Sequence, residues 1–290
     1  MSLRSLGWIV AGVGAACNSD GPAADNGTGQ LTPSPKSPAW TLAWSDEFDG
    51  PAGARPDTAK WVADTGGQGW GNREREYYTT RAENLSLDGE GNLIITARAA
   101  RPGSTDRCWY GACAYTSARI KTKGRFAQAY GRFEARIRIP RGQGIWPAFW
   151  LLGQNIDTVG WPRAGEIDIM ENIGREPRIV HGTVHGPGYS GGQGISGADT
   201  LRDRSYADDF HVYVVEWNPD DISWLVDGRV YRRTTSADLP AGTTWVFDHP
   251  FFVLLNLAVG GDWPGDPDST STYPQQMVVD YVRVYRSSQR

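Results

Sequence analysis

"GRFEARIRI", residues 131–139, decides the fold class. Phe133, Ala135, Ile137 and Ile139 fall on one parity, and Arg132, Glu134, Arg136 and Arg138 on the other. Such alternation marks an antiparallel strand with one face on a core and the other toward water. Three more runs have strand composition: "NLIITARA" (92–99), "HVYVVEWN" (211–218) and "MVVDYVRVYR" (277–286). Asp227-Gly228 within "ISWLVDGRVYRR" is the strongest hairpin signal, because a two-residue turn between twisted strands needs positive φ at both positions. Long amphipathic helical patterns are hard to find, and Gly (36) recurs between the short alternating segments. The expectation is an all-β domain of two packed antiparallel sheets, in sandwich or jelly-roll form.

Working outward, the chain of 290 residues has a net charge of −4 and no basic block, which argues against a nucleic-acid partner. Arg4 precedes the apolar "LGWIVAGVGAAC", too short to span a bilayer and ending in small residues before Cys17. Residues 1–17 therefore read as a bacterial signal peptide. Gly14, Ala15 and Ala16 resemble the approach to a lipidated cysteine, so two outcomes stay open: secretion after plain cleavage, or a lipid anchor on Cys17 at the cell surface. Residues 18–38 have no apolar periodicity and read as a disordered linker. One domain is expected over 39–287, acting as a monomer. Within it Cys108 and Cys113 bracket four residues, a spacing that an oxidising compartment would allow to close as a disulfide, the alternative being two free thiols.

"GEIDIMEN" (165–172) places Glu166, Asp168 and Glu171 in an otherwise apolar run. As a strand, Glu166 and Asp168 share a face, while strict alternation would send Glu171 to the other. One extra residue, taken up as a β-bulge, returns Glu171 to the face of the first two acids and keeps Ile167 and Ile169 in the core. A four-residue strand interval spans roughly 13 Å between Cα atoms. Two glutamates leaning together across it approach the separation of about 5–5.5 Å used by retaining glycosidases. Crowded like charges would also hold one carboxyl protonated, as a general acid requires. A solvated acidic row or a cation site would use the same residue types, but the aromatic setting opposes the first and the regular strand the second. That setting is "GIWPAFWLLG" (144–153), Trp161, "GQGWGNREREYYT" (67–79), "VHGPGYSGGQG" (184–194) and "NLAVGGDWPG" (256–265). Sugars stack their C–H faces on aromatic rings and take hydrogen bonds from Asn, Arg and His.

Together "GEIDIMEN", "WPAFWLLG", "GNREREYYT" and "AVGGDWPG" resemble the family 16 glycoside hydrolases, and among them the bacterial endo-β-1,3-glucanases, or laminarinases, over about residues 40–287. The resemblance implies a β-jelly-roll with a concave substrate cleft, retaining double displacement on β-1,3-glucan, and no organic cofactor. By position it makes Glu166 the nucleophile, Glu171 the general acid/base and Asp168 their assistant. Asn72, Arg119, Trp146, Trp150, Trp161, His185 and Trp263 would line the glucan subsites. It further implies a structural calcium, remote from the acids, at Glu47, Gly91 and Asp280, with Asp280 set among Val278, Val282 and Val284. Glu76 stands where relatives often carry an amide, which bears on recognition near the Tyr pair. Mixed-linkage glucan or an algal galactan is the alternative substrate. A non-catalytic glucan-binding protein is the alternative class, disfavoured because both glutamates are present.

Overall fold

The computed structural model describes residues 39–288. The signal peptide, the linker and Cys17 lie outside those residues. The regular structure of the described chain is nearly all β, in two large stacked sheets and a two-stranded ribbon of Arg107–Cys108 and Gly111–Ala112. The larger sheet runs, in order, Arg229–Thr235, Asp221–Val226, His211–Trp217, Gly131–Arg138, Gln275–Ser287, Leu93–Ala99, Tyr115–Ser117 and Glu76–Tyr78. Trp40–Asp46 adds alongside Gln275–Ser287, and Leu85–Leu87 alongside Leu93–Ala99. All four strands expected from composition thus lie side by side in one sheet. The smaller sheet runs Ile195–Thr200, Ile179–His185, Glu166–Glu171, Ile145–Gly153, Phe251–Val259, Arg119–Lys121 and Val62–Asp64. Strand pairing is antiparallel except that Glu76–Tyr78 runs parallel to Tyr115–Ser117.

The alternation of residues 131–139 is realised: Phe133, Ala135, Ile137 and Ile139 are buried, and Arg132, Arg136 and Arg138 are not. Their apolar face meets Phe149, Leu151, Ile167, Ile169, Val253 and Leu255 of the smaller sheet in one continuous core. Each such side chain contributes about 1.5–3 kcal/mol by leaving water, which holds the sheets together against chain entropy. The Asp227-Gly228 turn closes a hairpin with φ of 49° and 79°, as a primed turn demands. Phe251–Val259 is buried along its whole length, because Phe252 and Leu254 are covered by Trp150, Leu152 and Ile156 on the outer side.

One strand departs from the sequence expectation. In Gln275–Ser287, Arg136 pairs with Tyr281 and Ile137 with Val279, so Asp280 sits at a bulge. Val279, Val282 and Val284 are fully buried, whereas Asp280 is half-buried. Asp280 therefore does not share the face of Val282 and Val284. The extra residue rotates it outward, to Arg136, whose Nη1 lies 2.6 Å from Oδ2.

Candidate active site

The acid strand Glu166–Glu171 is central in the smaller sheet, flanked by Ile145–Gly153 and Ile179–His185. Opposite it, Phe149 pairs with Met170 and Trp150 with Asp168, leaving Ile169 as the extra residue of a bulge. Ile167, Ile169 and Met170 are all buried in the core. Glu171 faces Ala148 and Glu166 faces Leu152, so the two glutamates span a four-residue interval, roughly 13 Å of strand. The bulge is pinned from across the sandwich: buried Trp224 donates its indole N–H to the Asp168 carbonyl at 2.7 Å. Gly182, on the neighbouring strand, makes room for that indole, since a Cβ there would stand 2.2 Å from Trp224 Cδ1.

All three acids border a hollow of about 340 Å³, and Glu166 and Glu171 also border an adjoining one of about 730 Å³, the two sharing Asn72, Trp146 and Trp161 as well. His185 Nε2 lies 3.1 Å from Asp168 Oδ2 and 3.7 Å from Glu166 Oε1. Trp146 donates its indole N–H to Glu171 Oε1 at 3.0 Å. Burial raises Glu166 to about 8. The Asp168 charge adds to that, while His185 and Arg119 favour the ionised form. Burial alone raises Asp168 to about 8. Glu171 is raised to about 8 by burial and then by Asp168, against the opposing His185 and Trp146 hydrogen bond. At neutral pH the trio therefore retains protons that exposed carboxyls would have lost. A proton can be held on one glutamate while the other, nearer the cationic groups, ionises.

The remaining site residues expected from the sequence converge on the same cleft. Asn72 donates to Glu74 Oε1 at 3.0 Å. The Arg119 guanidinium lies 4.9 Å from the ring centres of both Trp70 and Trp150, and 3.1 Å from Asp64. Trp150 donates to Asn256 Oδ1 at 2.7 Å, which fixes its ring plane at the cleft floor. Trp161 lies beside His185, and Trp263 meets Trp146 edge-on at 5.5 Å. Trp161 and Trp263 remain exposed, so their faces are open to a ligand.

Two residues escaped the sequence reading. His181 pairs opposite Glu171 and packs edge-on against Trp263 at 5.1 Å. Burial lowers its pKa, favouring neutral imidazole. Its signal was the alternation His181, Thr183, His185, three residues that line one hollow. Glu74 is the second: it borders the cleft, bonded to Asn72 and to the Tyr78 hydroxyl at 2.9 Å. Glu76 lies beneath, fully buried, accepting from the Val259 amide at 2.7 Å. Burial and then the Glu74 charge push the Glu76 carboxyl well above its usual range. Glu76 thus supports the Glu74 wall and does not itself border the cleft.

The residues expected to hold calcium gather far from the acids. Asp46 pairs with Val282 and Leu93 with Val279, which brings the neighbouring Glu47, Gly91 and Asp280 to one corner. A Cβ on Gly91 would lie 3.8 Å from the Glu47 carbonyl oxygen. The Glu47 carboxylate is taken by Arg283, at 3.0 and 2.7 Å, and Asp280 by Arg136. Glu47 can therefore offer a cation its main-chain oxygen more readily than its side chain.

The sequence and the fold both have known counterparts. The chain is 46% identical over 264 residues to a beta-glucanase of Rhodothermus marinus, covering 87% of each. The catalytic domain of an endo-1,3-beta-glucanase (laminarinase) from Thermotoga petrophila superposes with a TM-score of 0.80 at 46% identity, over 87% of this chain and 100% of that one. Endo-beta-1,3-glucanase from Pyrococcus furiosus gives 0.80 at 48% identity, over 86% and 95%. The model of the glycosyl hydrolases family 16 matches residues 72–283, and the chain belongs to that family.

Proposed function

We propose that this glycoside hydrolase is an endo-acting β-1,3-glucanase working by retaining double displacement. The observation that carries the reading is the bulge at Ile169, which sets Glu166, Asp168 and Glu171 on one face of an aromatic-lined cleft. In the first step a Glu166 carboxylate oxygen attacks the anomeric carbon. The glycosidic C–O bond breaks as the Glu171 proton passes to the departing oxygen. In the second, Glu171, now ionised, takes a proton from water, and that water displaces Glu166 from the anomeric carbon. Asp168 tunes both glutamates through its charge. Trp146, by its bond to Glu171, orients the acid. The stacked Trp70–Arg119–Trp150 wall and the exposed Trp161 and Trp263 suit a sugar chain's C–H faces.

Oxygens of Glu47, Gly91 and Asp280 suit calcium, a hard cation that takes carbonyl and carboxylate donors. Such an ion would brace the corner where the first strand meets the last and has no part in bond cleavage. Export follows from the N-terminal reading, with the enzyme secreted or lipid-anchored at the bacterial surface and acting as a monomer. The substrate assignment is tested by comparing products from laminarin, lichenan, agarose and carrageenan. Laminarin should be cleaved internally and fastest, and faster turnover of any other polymer overturns the assignment.

A further inference from the structure

We infer that the disulfide-closed loop Cys108–Cys113 lengthens the cleft, with Trp109 as an outer platform on which a glucosyl ring of the chain stacks. The inference rests on the β-glucan reading above. Three tryptophans are exposed among the described residues: Trp161 (49%), Trp263 (37%) and Trp109 (46%). The first two line the cleft. A single exposed indole is by itself ordinary. Trp109 differs in how firmly it is held and in what it adjoins.

Its amide donates to the Gly67 carbonyl at 2.8 Å, and its indole N–H donates to the Glu74 carbonyl at 2.8 Å. Tyr110 packs edge-on against it at 5.3 Å and is itself tied down, donating its hydroxyl to the Arg75 carbonyl and lying under the Arg75 guanidinium. Two glycines make the contact possible. A Cβ on Gly67 would stand 2.5 Å from Cys108 Sγ, and one on Gly69, at φ +81°, 3.0 Å from Trp109 Cδ1. The segment so gripped, 67–75, carries Trp70, Asn72 and Glu74, which form one wall of the cleft. The loop thus continues that wall outward. Its ring is pre-oriented, with the N–H already bonded and the ring still exposed, so stacking a sugar costs little side-chain entropy.

The test is steady-state kinetics of Trp109→Ala and Trp109→Phe on laminarin and on laminaritriose, with thermal melts as folding controls. Trp109→Ala should raise KM for laminarin roughly two- to ten-fold, as expected for one aromatic contact. It should leave kcat on laminarin, and kcat/KM on laminaritriose, near wild type. Trp109→Phe keeps a stacking face but loses the bond to Glu74, and should retain most of the affinity. Equal losses on both substrates, or a Phe variant as poor as Ala, would mean that Trp109 only props Glu74, and would overturn the platform. Opening the disulfide with dithiothreitol should produce the same length-dependent loss, and an unchanged KM would overturn the part given to the disulfide. A wild type that leaves laminarin intact overturns the glucanase reading and this inference together. A wild type that cleaves laminarin while Trp109→Ala behaves identically overturns the inference alone.

Discussion

Two strands of this fold carry a bulge beside an acid, and the acids fare differently. In the acid strand, the extra residue at Ile169 turns Glu171 into the cleft beside Glu166 and Asp168. There burial exceeds what His185 and Arg119 can offset, and all three carboxyls rise to about 8. In the last strand, the extra residue at Asp280 turns a carboxylate outward to Arg136, at 2.6 Å. Nearby Glu47 is met by two Arg283 bonds, which hold it below its usual range. The same backbone device serves opposite ends, and the surroundings decide which: an acid given an arginine is quenched, and an acid set into a sugar-sized hollow keeps its proton for use.

The largest effect expected from breaking this contrast is loss of turnover. Glu166→Gln and Glu171→Gln should each cut laminarin hydrolysis by several orders of magnitude, because each removes a step of double displacement. Glu171→Gln should recover part of its glycosylation rate on an aryl laminaribioside with a good leaving group, measured by release of the phenol. Asp280→Ala, the control from the quenched set, should retain near-normal turnover at moderate temperature.

Deleting Met170 attacks the bulge itself. It removes a fully buried side chain and shifts the register of everything downstream. The cavity alone should cost roughly 2–5 kcal/mol. Thermal melts and laminarin assays of the deletion should show both stability and activity reduced, and wild-type behaviour would show that the bulge does not matter.

The raised carboxyls also predict a pH dependence with a definite sign. Glu166 and Glu171 hold protons when folded up to about 8, but when unfolded only up to the usual glutamate range, near 4.5. Between those limits the native state binds more protons than the unfolded state, so stability should fall as pH rises from about 4.5 to 8. Denaturant midpoints at pH 5 and pH 8 measure the slope, and Glu171→Gln should flatten it. Asp168→Asn removes a third carboxyl raised to about 8 and should flatten the slope as well.

Calcium should have the smallest effect. Arg136 already meets the Asp280 charge, so an ion bound at the proposed corner would add only linkage stabilisation of the folded state. A chelator should lower the melting temperature by a few degrees, about 2–4 °C per kcal/mol for a domain of this size, and Asp280→Ala should abolish that response. Laminarin turnover below the transition should be unchanged.

What the sequence revealed follows the same division. The acid bulge was legible because charged residues flag their own face, so a three-residue interval among Glu166, Asp168 and Glu171 exposes the slip. The second bulge was not, because Val278, Val279, Val282 and Val284 read as core on either register. Its outcome depends on pairing with a strand some 144 residues away, through Arg136. The cleft tryptophans were visible from their Gly- and Pro-rich flanks. Glu74 was hidden by Glu76, two residues on, since nothing local says which of the two borders a cavity and which lies beneath it. His181 was hidden for another reason: its strand's alternation was there to be read, but only the pairing of His181 opposite Glu171 brings it to the cleft.

The most direct test of the uncompensated acids as the chemical ones is covalent trapping. An activated 2-deoxy-2-fluoro laminaribioside slows the second displacement, so the intermediate accumulates and can be located by peptide mapping after proteolysis. One glycosyl group per molecule should be found on the peptide containing Glu166, attached to Glu166, and none on peptides holding Glu47 or Asp280. A label on Glu171 would reverse the roles, and inactivation-free turnover with no label at all would contradict double displacement at this cleft.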